Sequence, residues 1–219
     1  MKRIFDIVVS LVGIVVLLPL MAAIAVAIRL ESKGAAIFAQ RRAGWYGRPF
    51  TMLKFRTMRT DVEAYGQSPH SSDDPRLTRV GRFLREGSLD ELPQLFNVLV
   101  GQMSLVGPRP LYERQAALWD AHQRRRLDVR PGISGYAQAY GRAKLTHRGK
   151  IELDVFYVDN QSGWLDLKIL ARTVANIFGR RGETYEHRYD DDAVWEGDHS
   201  RPDVCAENGR KGGPQDGQA

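Results

Sequence analysis

The sequence is poor in residues that commonly build redox, disulfide or metal sites. Its single cysteine, Cys205, allows no disulfide within the chain, so a reducing compartment is expected. The five histidines show no spacing typical of metal ligands. Neither a Walker pattern nor a GxGxxG loop occurs. These absences argue against zinc chemistry, thiol chemistry and the common nucleotide-binding loops.

Charge is unevenly distributed along the 219 residues. The formal net charge is +6, but residues 180–219 carry a net −4 and residues 1–179 therefore a net +10. A basic body predicts anionic partners, such as phosphorylated metabolites or an acidic membrane surface. We predict no nucleic-acid partner, because the sequence carries no signature of an RNA- or DNA-binding motif. Residues 190–219 are acidic and lack apolar periodicity, so a disordered tail is expected.

Residues 7–28 form a run of 22 residues without a charge. At about 1.5 Å per residue, a helix of this length can cross a hydrocarbon core of about 30 Å. Three interpretations compete: a signal peptide, a spanning helix, and a re-entrant helix that returns to the side from which it entered. The run exceeds the roughly 7–15 apolar residues of a signal peptide, which disfavours the first interpretation.

Pro19 and the basic flanks of the run bear on the two remaining interpretations. Proline removes one helical hydrogen bond and favours a kink near the middle of the run. Lys2 and Arg3 precede the run and Arg29 and Lys33 follow it, so the flanks give no orientation bias. All four could contact anionic headgroups on one face, yet a kinked spanning helix remains an alternative.

The remainder of the chain alternates short apolar patterns with turn-forming residues. Runs of β-prone residues on both sides of a segment rich in glycine and proline predict a β-hairpin. Apolar side chains at a spacing of three or four residues predict helices, the last of which suits either a core or a bilayer surface. The predicted segments are a hairpin from 37–40 and 50–55, a polar loop at 61–75, and helices at 92–99, 112–127 and 167–178.

Asp90 and Glu91 stand at the beginning of the first strongly amphipathic helix. A structural interpretation is a capping box between Ser88 and Glu91. With Ser88 as the cap, Pro93 would cost a backbone bond, whereas with Asp90 as the cap it would fall in the tolerated first turn. In either register the helix dipole favours two ionised carboxylates, which repel phosphate unless a cation intervenes. A functional pair would therefore predict Mg²⁺, and an aspartate can also accept a phosphoryl group as a nucleophile.

Several basic residues lie in segments dense with glycine and proline and could surround an anion. Arg109 lies between Pro108 and Pro110, which lowers the entropy cost of presenting its guanidinium group to a phosphate. Residues 130–135 form a second rigid basic turn. For each cation a solvated basic face is the structural alternative. The cations are Lys54, Arg56, Arg59, Arg82, Arg85 and Arg109.

Six motifs occur in order along the chain. They are KRIFD at 2–6, KFRTM at 54–58, SLDELPQLFNVL at 88–99, MSLVGPRP at 103–110, VRPGISG at 129–135 and LDLK at 165–168. With these motifs the chain, from Lys2 to about Phe178, resembles the bacterial sugar transferase family, whose small monotopic members are phosphoglycosyl transferases that begin glycoconjugate assembly.

The resemblance implies an α+β, mostly helical fold at the cytoplasmic face of the bacterial inner membrane. Residues 1–33 would form a re-entrant membrane helix bent at Pro19. Residues 34–189 would form a compact catalytic domain with interfacial amphipathic helices, and residues 190–219 the tail. One departure is Leu18, since well-studied small members carry a serine before the bend proline.

The resemblance also implies a reaction. A sugar 1-phosphate would pass from a UDP-sugar to undecaprenyl phosphate in a ping-pong mechanism that releases UMP. Asp90 matches the nucleophile that takes the phosphosugar covalently, Glu91 matches its partner in the dyad, and Mg²⁺ is the implied cofactor, held by the two carboxylates. The alternative is a non-catalytic membrane-anchored partner of glycan assembly, which the presence of the acidic pair and Arg109 disfavours.

The remaining candidate residues surround this dyad. Lys54, Arg85 and Arg109 match family positions near the phosphates or the nucleotide. Asp154 and Asp166 match acidic family positions that are tied to activity, but the resemblance assigns them no separate roles. The complete predicted substrate-binding set is Lys54, Arg56, Arg85, Arg109, Asp154 and Asp166.

Overall fold

The computed structural model describes residues 1–62, 69, 71, 73–141 and 146–179. In these ranges helices predominate, and the strands form two small two-stranded sheets, which confirms the mostly helical α+β class. The helices are α1 (Lys2–Glu31), α2 (Arg79–Glu86), α3 (Gln94–Leu99), α4 (Glu113–Ala117), α5 (Ala121–Arg124), α6 (Tyr136–Tyr140), α7 (His147–Asp159) and α8 (Gly163–Gly179). The strands are β1 (Ile37–Ala43), β2 (Pro49–Phe55), β3 (Ser104–Val106) and β4 (Gly132–Ser134).

Helix α1 contains the whole apolar run and is long and apolar enough to cross a membrane by length and composition. Pro19 lies inside this helix, which is assigned without interruption from end to end. Because proline has no amide hydrogen, the carbonyl one turn earlier, at Val15, loses its helical donor. The bend at Pro19 and the re-entrant path both stay predictions.

The amino-terminal end of α1 is tied to the domain by polar side chains. Lys2 Nζ lies 2.5 Å from Asp166 Oδ2 on α8. Arg3 donates to two carbonyl groups at the end of α3, at 2.6 and 2.8 Å. The carboxylate of Asp6, which is buried, accepts a hydrogen bond from the amide of Leu105 on β3. These three contacts hold the first two turns of α1 against three elements of the domain.

The carboxyl-terminal end of α1 packs on the same domain. Its buried side chains, Met21, Ile24 and Ile28, form an apolar cluster with Phe55 of β2 and Leu84 of α2. The carboxylate of Glu31, the last residue of α1, accepts hydrogen bonds from two backbone amides at the start of α2, at 2.7 and 2.9 Å. One domain therefore contacts both ends of the apolar helix.

The predicted β-hairpin is confirmed. Strands β1 and β2 pair antiparallel, with Ile37 opposite Phe55 and Ala43 opposite Pro49. The tight connection requires a left-handed backbone at Tyr46, where φ is 53°, so the turn is formed by a residue type that rarely adopts this conformation. In the first half of β2, the buried Phe50 and Met52 alternate with exposed residues, as period two predicts, whereas the buried Phe55 breaks this alternation.

The second sheet was not predicted. It pairs β3 with β4 in parallel, and so joins the two rigid basic turns, which lie apart in the sequence. Gly107 donates to the carbonyl of Ser134, and Gly132 donates to the carbonyl of Pro108, each at 2.9 Å. A Cβ atom at Gly132 would lie 2.1 Å from the amide nitrogen of Gly107, so glycine is required for this close approach.

Helix predictions were partly correct. Helices α3 and α8 confirm the apolar stripes near 92–99 and 167–178. The single helix predicted over 112–127 is wrong: the segment divides into α4, α5 and a 3₁₀ turn. The division occurs at Asp120, whose carboxylate accepts from the amide of Gln123 and starts a new helix. Much of the predicted 61–75 loop and the whole predicted tail lie outside the described residues.

The main core lies between the hairpin, α3 and the last helices. Side chains from β2, α3, β3, α6, α7 and α8 meet there, which fixes α3, the helix that follows the acidic pair. The buried members of this core are Phe50, Met52, Val98, Met103, Leu105, Val106, Ala139, Tyr157 and Ile169.

Candidate active site

Asp90 and Glu91 lie in a 3₁₀ turn (Leu89–Glu91) between α2 and α3. Both carboxylates are buried, with 3% and 8% of the residue surface exposed. Two adjacent buried carboxylates are expensive unless cations or hydrogen-bond donors compensate them. The turn is therefore a site where charged partners are expected.

The capping box between Ser88 and Glu91, the structural interpretation of this segment, is not found in the described residues. Ser88 has a left-handed backbone, with φ of 54°, and its side chain makes no capping bond in the described part of the chain. Pro93 is itself the N-cap of α3, so neither predicted register holds. The reason is the intervening 3₁₀ turn, which is closed by backbone bonds such as that from the amide of Glu91 to the carbonyl of Ser88.

Two cations converge on one oxygen of Glu91. Lys54 Nζ, from β2, and Arg109 Nη2, from the loop after β3, each lie 2.8 Å from Glu91 Oε1. All three side chains are largely shielded from water, which strengthens the charge interactions. The prediction that Lys54, Glu91 and Arg109 belong to one site is supported by this geometry, although their contacts with a substrate stay predictions.

Asp90 differs from Glu91 in that one of its carboxylate oxygens lacks a partner in the described residues. Its Oδ1 atom is buried and has no hydrogen-bond partner in the described residues. Gln94 Nε2, four residues later, is also buried without a partner there. A donor or cation brought by a ligand would compensate the Asp90 oxygen. Sequence reasoning missed Gln94, because a glutamine in the first turn of an amphipathic helix carries no signal of its own.

The acidic pair provides suitable oxygen ligands for Mg²⁺ without forming a complete cage. No group of three or more His, Cys, Asp or Glu side chains in the described residues is arranged to hold a metal ion. Mg²⁺ is commonly bound by one or two carboxylates together with phosphate oxygens and water. The unpartnered oxygen of Asp90 therefore fits an ion that binds together with a phosphorylated substrate.

Arg85 and Arg56 are both buried, but they have different neighbours. Arg85 lies in the last turn of α2, and its carbonyl accepts from the amide of Ser88, directly before the 3₁₀ turn. Arg56 donates through Nη1 and Nη2 to the carbonyl groups of Lys33 and Ser32, at 2.6 and 2.8 Å. Arg56 thus caps the carboxyl-terminal end of α1. Lys54, from the same KFRTM motif, instead reaches Glu91.

Asp154 does not contact the acidic pair through any hydrogen bond found in the described residues. Its Oδ2 atom lies 2.5 Å from Arg126 Nη2 in the interior, and the same nitrogen donates to the carbonyl oxygen of Arg109 at 2.8 Å. Burial raises the pKa of the Asp154 carboxyl, and the positive charges of Arg126 and Arg109 oppose this rise. Sequence reasoning did not identify Arg126.

Asp166 belongs to a second polar cluster. Besides Lys2, its carboxylate accepts a bond of 2.7 Å from the Tyr157 hydroxyl, which also lies 3.3 Å from the carbonyl of Val106. Burial, followed by the bond to Asp166, raises the pKa of Tyr157, so the hydroxyl stays a neutral donor. Asp166 and Asp154, two of the predicted substrate-binding residues, are thus connected to opposite ends of the Val106–Arg109 segment through Tyr157 and Arg126, respectively.

The chain is similar to known proteins over most of its length. The model of the family described as bacterial sugar transferase matches residues 1–180. The chain belongs to this family. The resemblance to the bacterial sugar transferase family that the sequence motifs indicate is thereby confirmed.

Individual members of the bacterial sugar transferase family are similar over most of the chain. An uncharacterised sugar transferase, EpsL of Bacillus subtilis, is 43% identical over 182 residues, which are 83% of this chain and 89% of that protein. The undecaprenyl-phosphate glucose phosphotransferase of Komagataeibacter xylinus is 43% identical over 192 residues, 82% of this chain but 36% of that protein. A UDP-glucose:undecaprenyl-phosphate glucose-1-phosphate transferase of Caulobacter vibrioides is 42% identical over 184 residues, 80% and 69% of the two chains.

Proposed function

We propose that the chain transfers a sugar 1-phosphate from a UDP-sugar to undecaprenyl phosphate, forming a polyprenyl-diphosphate-linked sugar and UMP. The observation that carries the proposal is the buried Asp90–Glu91 pair, in which two cations hold Glu91 while an oxygen of Asp90 has no partner in the described residues. The names of the relatives in Komagataeibacter and Caulobacter supply the substrate classes.

In the first step a carboxylate oxygen of Asp90 attacks the β-phosphorus of the UDP-sugar. The bond from that phosphorus to the oxygen bridging the two phosphates breaks, and UMP leaves with the electron pair. In the second step a phosphate oxygen of undecaprenyl phosphate attacks the same phosphorus, and the Asp90 carboxylate is released. Each step exchanges one P–O bond for another, so no oxidant or further reactant is needed.

The other site residues bind and orient the charged groups. Lys54 and Arg109 hold the Glu91 carboxylate in place and provide the positive field in which a diphosphate can bind. Asp90 and Glu91 would hold Mg²⁺ together with the substrate, and the ion would neutralise negative charge on the phosphates. The fixed charges cost little reorganisation during the reaction, because they are already held by hydrogen bonds in the described structure.

We infer that α1 is a same-side anchor in the bacterial inner membrane, with the domain on the cytoplasmic face. A helix that crosses the bilayer has its ends on opposite faces, so a polar domain on one face could contact only one end. Here Lys2 contacts α8 while Glu31 contacts α2, and both belong to the same domain. The middle of α1 is suited to lipid because its apolar side chains are exposed: Leu11, Val12, Val15, Val16 and Leu18.

The proposal is tested by measuring UMP release from a panel of UDP-sugars, with the purified chain, undecaprenyl phosphate and Mg²⁺. Asp90→Asn should abolish UMP release, and it should also abolish covalent labelling by a UDP-sugar carrying a radioactive β-phosphate. Glu91→Gln is the matched variant and should slow turnover while some label is retained. Labelling of the Asp90→Asn protein at the wild-type level would overturn the nucleophile assignment.

A further inference from the structure

Arg126 is a buried arginine outside the residues assigned so far to substrate or catalysis. It lies in the 3₁₀ turn Arg125–Leu127, with 3% of its surface exposed. Its guanidinium group lies over the ring of Trp119, 4.8 Å from the centroid. Its Nη2 atom donates both to Asp154 Oδ2 and to the carbonyl oxygen of Arg109, at 2.5 and 2.8 Å.

A buried ion pair of this kind is poorly explained by stability alone. Removing both charges from water is costly, and apolar residues of similar size are often as stabilising in the same position. What apolar residues cannot reproduce is the third contact, the hydrogen bond to the backbone of Arg109. Arg109 is also the residue whose side chain donates to Glu91 in the candidate site.

We propose that Arg126 and Asp154 form a positioning pair that fixes the Arg109 backbone, and through it the guanidinium group that faces Glu91 and the substrate phosphates. The inference rests on the proposed function and deepens it. Asp154 acts by orienting Arg126, and neither residue contacts substrate or metal ion. The two acidic residues without separate roles are thereby distinguished, because Asp166 belongs to the cluster with Lys2 and Tyr157.

The loop around Arg109 is already restricted, so the hydrogen bond from Arg126 to its carbonyl can fix the backbone there. Arg109 is followed by Pro110, which restricts its backbone, and preceded by Pro108, whose carbonyl accepts from the amide of Gly132. Strand β4 therefore holds the loop at one residue and Arg126 holds it at the next. A loop fixed at two consecutive carbonyl groups leaves the arginine side chain little freedom other than its own rotamers.

A direct role for Asp154 in binding substrate or metal ion agrees less well with the geometry. Its side chain is almost completely enclosed, and its Oδ2 atom already accepts a short bond from Arg126. A ligand at Oδ2 would have to displace a buried guanidinium group, which would leave that charge without a counter-ion. The positioning role needs no such rearrangement.

The test replaces the pair with apolar residues of similar size, Arg126→Met with Asp154→Leu, so that no unpaired charge stays buried. We expect a folded protein with a melting temperature close to the wild type and a kcat/KM for UMP release lowered about 10- to 100-fold, the range found when supporting contacts of a site are removed. Full wild-type activity in the folded double variant would overturn the proposal.

A double-mutant cycle separates positioning from general structural damage. If the pair acts through Arg109, replacing it in an Arg109→Ala background should cause no further loss beyond about twofold, because the contact it supports is already absent. Two losses that multiply would overturn the proposal. The matched control is the exposed ion pair of Arg125 and Asp159, which joins the same turn to the same helix; Arg125→Gln with Asp159→Asn should retain wild-type activity.

A second measurement is independent of turnover. Hydrogen exchange of the peptide covering residues 105–112 should be faster in the apolar double variant than in the wild type, while the control variant exchanges at the wild-type rate. Unchanged exchange in this peptide would overturn the positioning role. A wild-type protein that releases no UMP from any UDP-sugar would instead overturn the proposed function, and the exchange result would still decide the role of the pair.

Discussion

Lys2 on α1 and Asp166 on α8 form an ion pair, with Nζ 2.5 Å from Oδ2. The pair joins the first turn of the apolar helix to the last described helix of the domain. Because Tyr157 bonds both to Asp166 and to the carbonyl of Val106, α1 is connected by hydrogen bonds to the strand that precedes Arg109. The position of α1 and the position of the candidate site are therefore physically coupled.

Removing the ammonium group should loosen this connection. Lys2→Met is expected to lower the free energy of unfolding by about 2 kcal/mol, the typical value of hydrogen bonds to charged groups. The measurement is thermal unfolding in detergent, compared with Lys33→Met, whose side chain is exposed at the other end of α1. Equal melting temperatures for the two variants would contradict the prediction.

The parts of the fold that could be predicted are those with local causes. The hairpin follows from turn-forming residues between β-prone runs, and α3 and α8 follow from apolar periodicity. Strands β3 and β4 could not be predicted, since three residues are too few to show a period. Their pairing depends on the close approach of Gly107 to Gly132, which are distant in the sequence.

The candidate site was predictable to a similar degree. The motifs supplied Asp90, Glu91, Lys54 and Arg109 as residues of one site, but not the convergence of both cations on a single oxygen. Arg126 was missed because it is one of three consecutive arginines, and only the fold buries it while leaving its neighbour Arg125 exposed. Residue type alone does not distinguish a solvated cation from a buried one.

The same-side topology of α1 predicts the labelling pattern of two engineered cysteines. With the native thiol removed by Cys205→Ser, one cysteine is placed in a short extension before Met1 and another at Lys33→Cys. Both should react with a membrane-impermeant thiol reagent in inside-out vesicles and resist it in right-side-out vesicles. Reaction of the two sites from opposite faces would show that α1 spans the bilayer.

Asp74 should contribute to the acid sensitivity of folding. The side chain of Arg76, 2.7 Å away, holds the pKa of Asp74 below its ordinary value of 3.8, and Arg85 acts in the same direction. A carboxyl group with a lowered folded-state pKa stabilises the protein above its unfolded-state pKa, and this contribution is lost as the pH falls through the folded-state value.

Asp74→Asn should therefore show a smaller loss of melting temperature than the wild type as the pH is lowered from about 5 towards 2. The Asp74 carboxyl group takes up its proton in this range, around and below its ordinary pKa of about 4. Arg76→Gln serves as the matched variant and should reduce the same dependence, because it removes the main cause of the lowered pKa. Parallel pH profiles for all three proteins would rule out this contribution.

Gly107 should tolerate no side chain. A Cβ atom there would lie 2.3 Å from the carbonyl oxygen of Arg130 and 3.0 Å from the amide nitrogen of Gly132, so Gly107→Ala must push β3 and β4 apart. We expect a loss of about 1–3 kcal/mol in unfolding free energy, the usual cost of overpacking, and slower UMP release because Arg109 lies two residues further along.

Gly163→Ala is the control, since nothing lies within 4 Å of its added Cβ, and it should match the wild type in both thermal unfolding and UMP release. Unimpaired stability of Gly107→Ala would mean that the two strands do not approach as closely as their hydrogen bonds require.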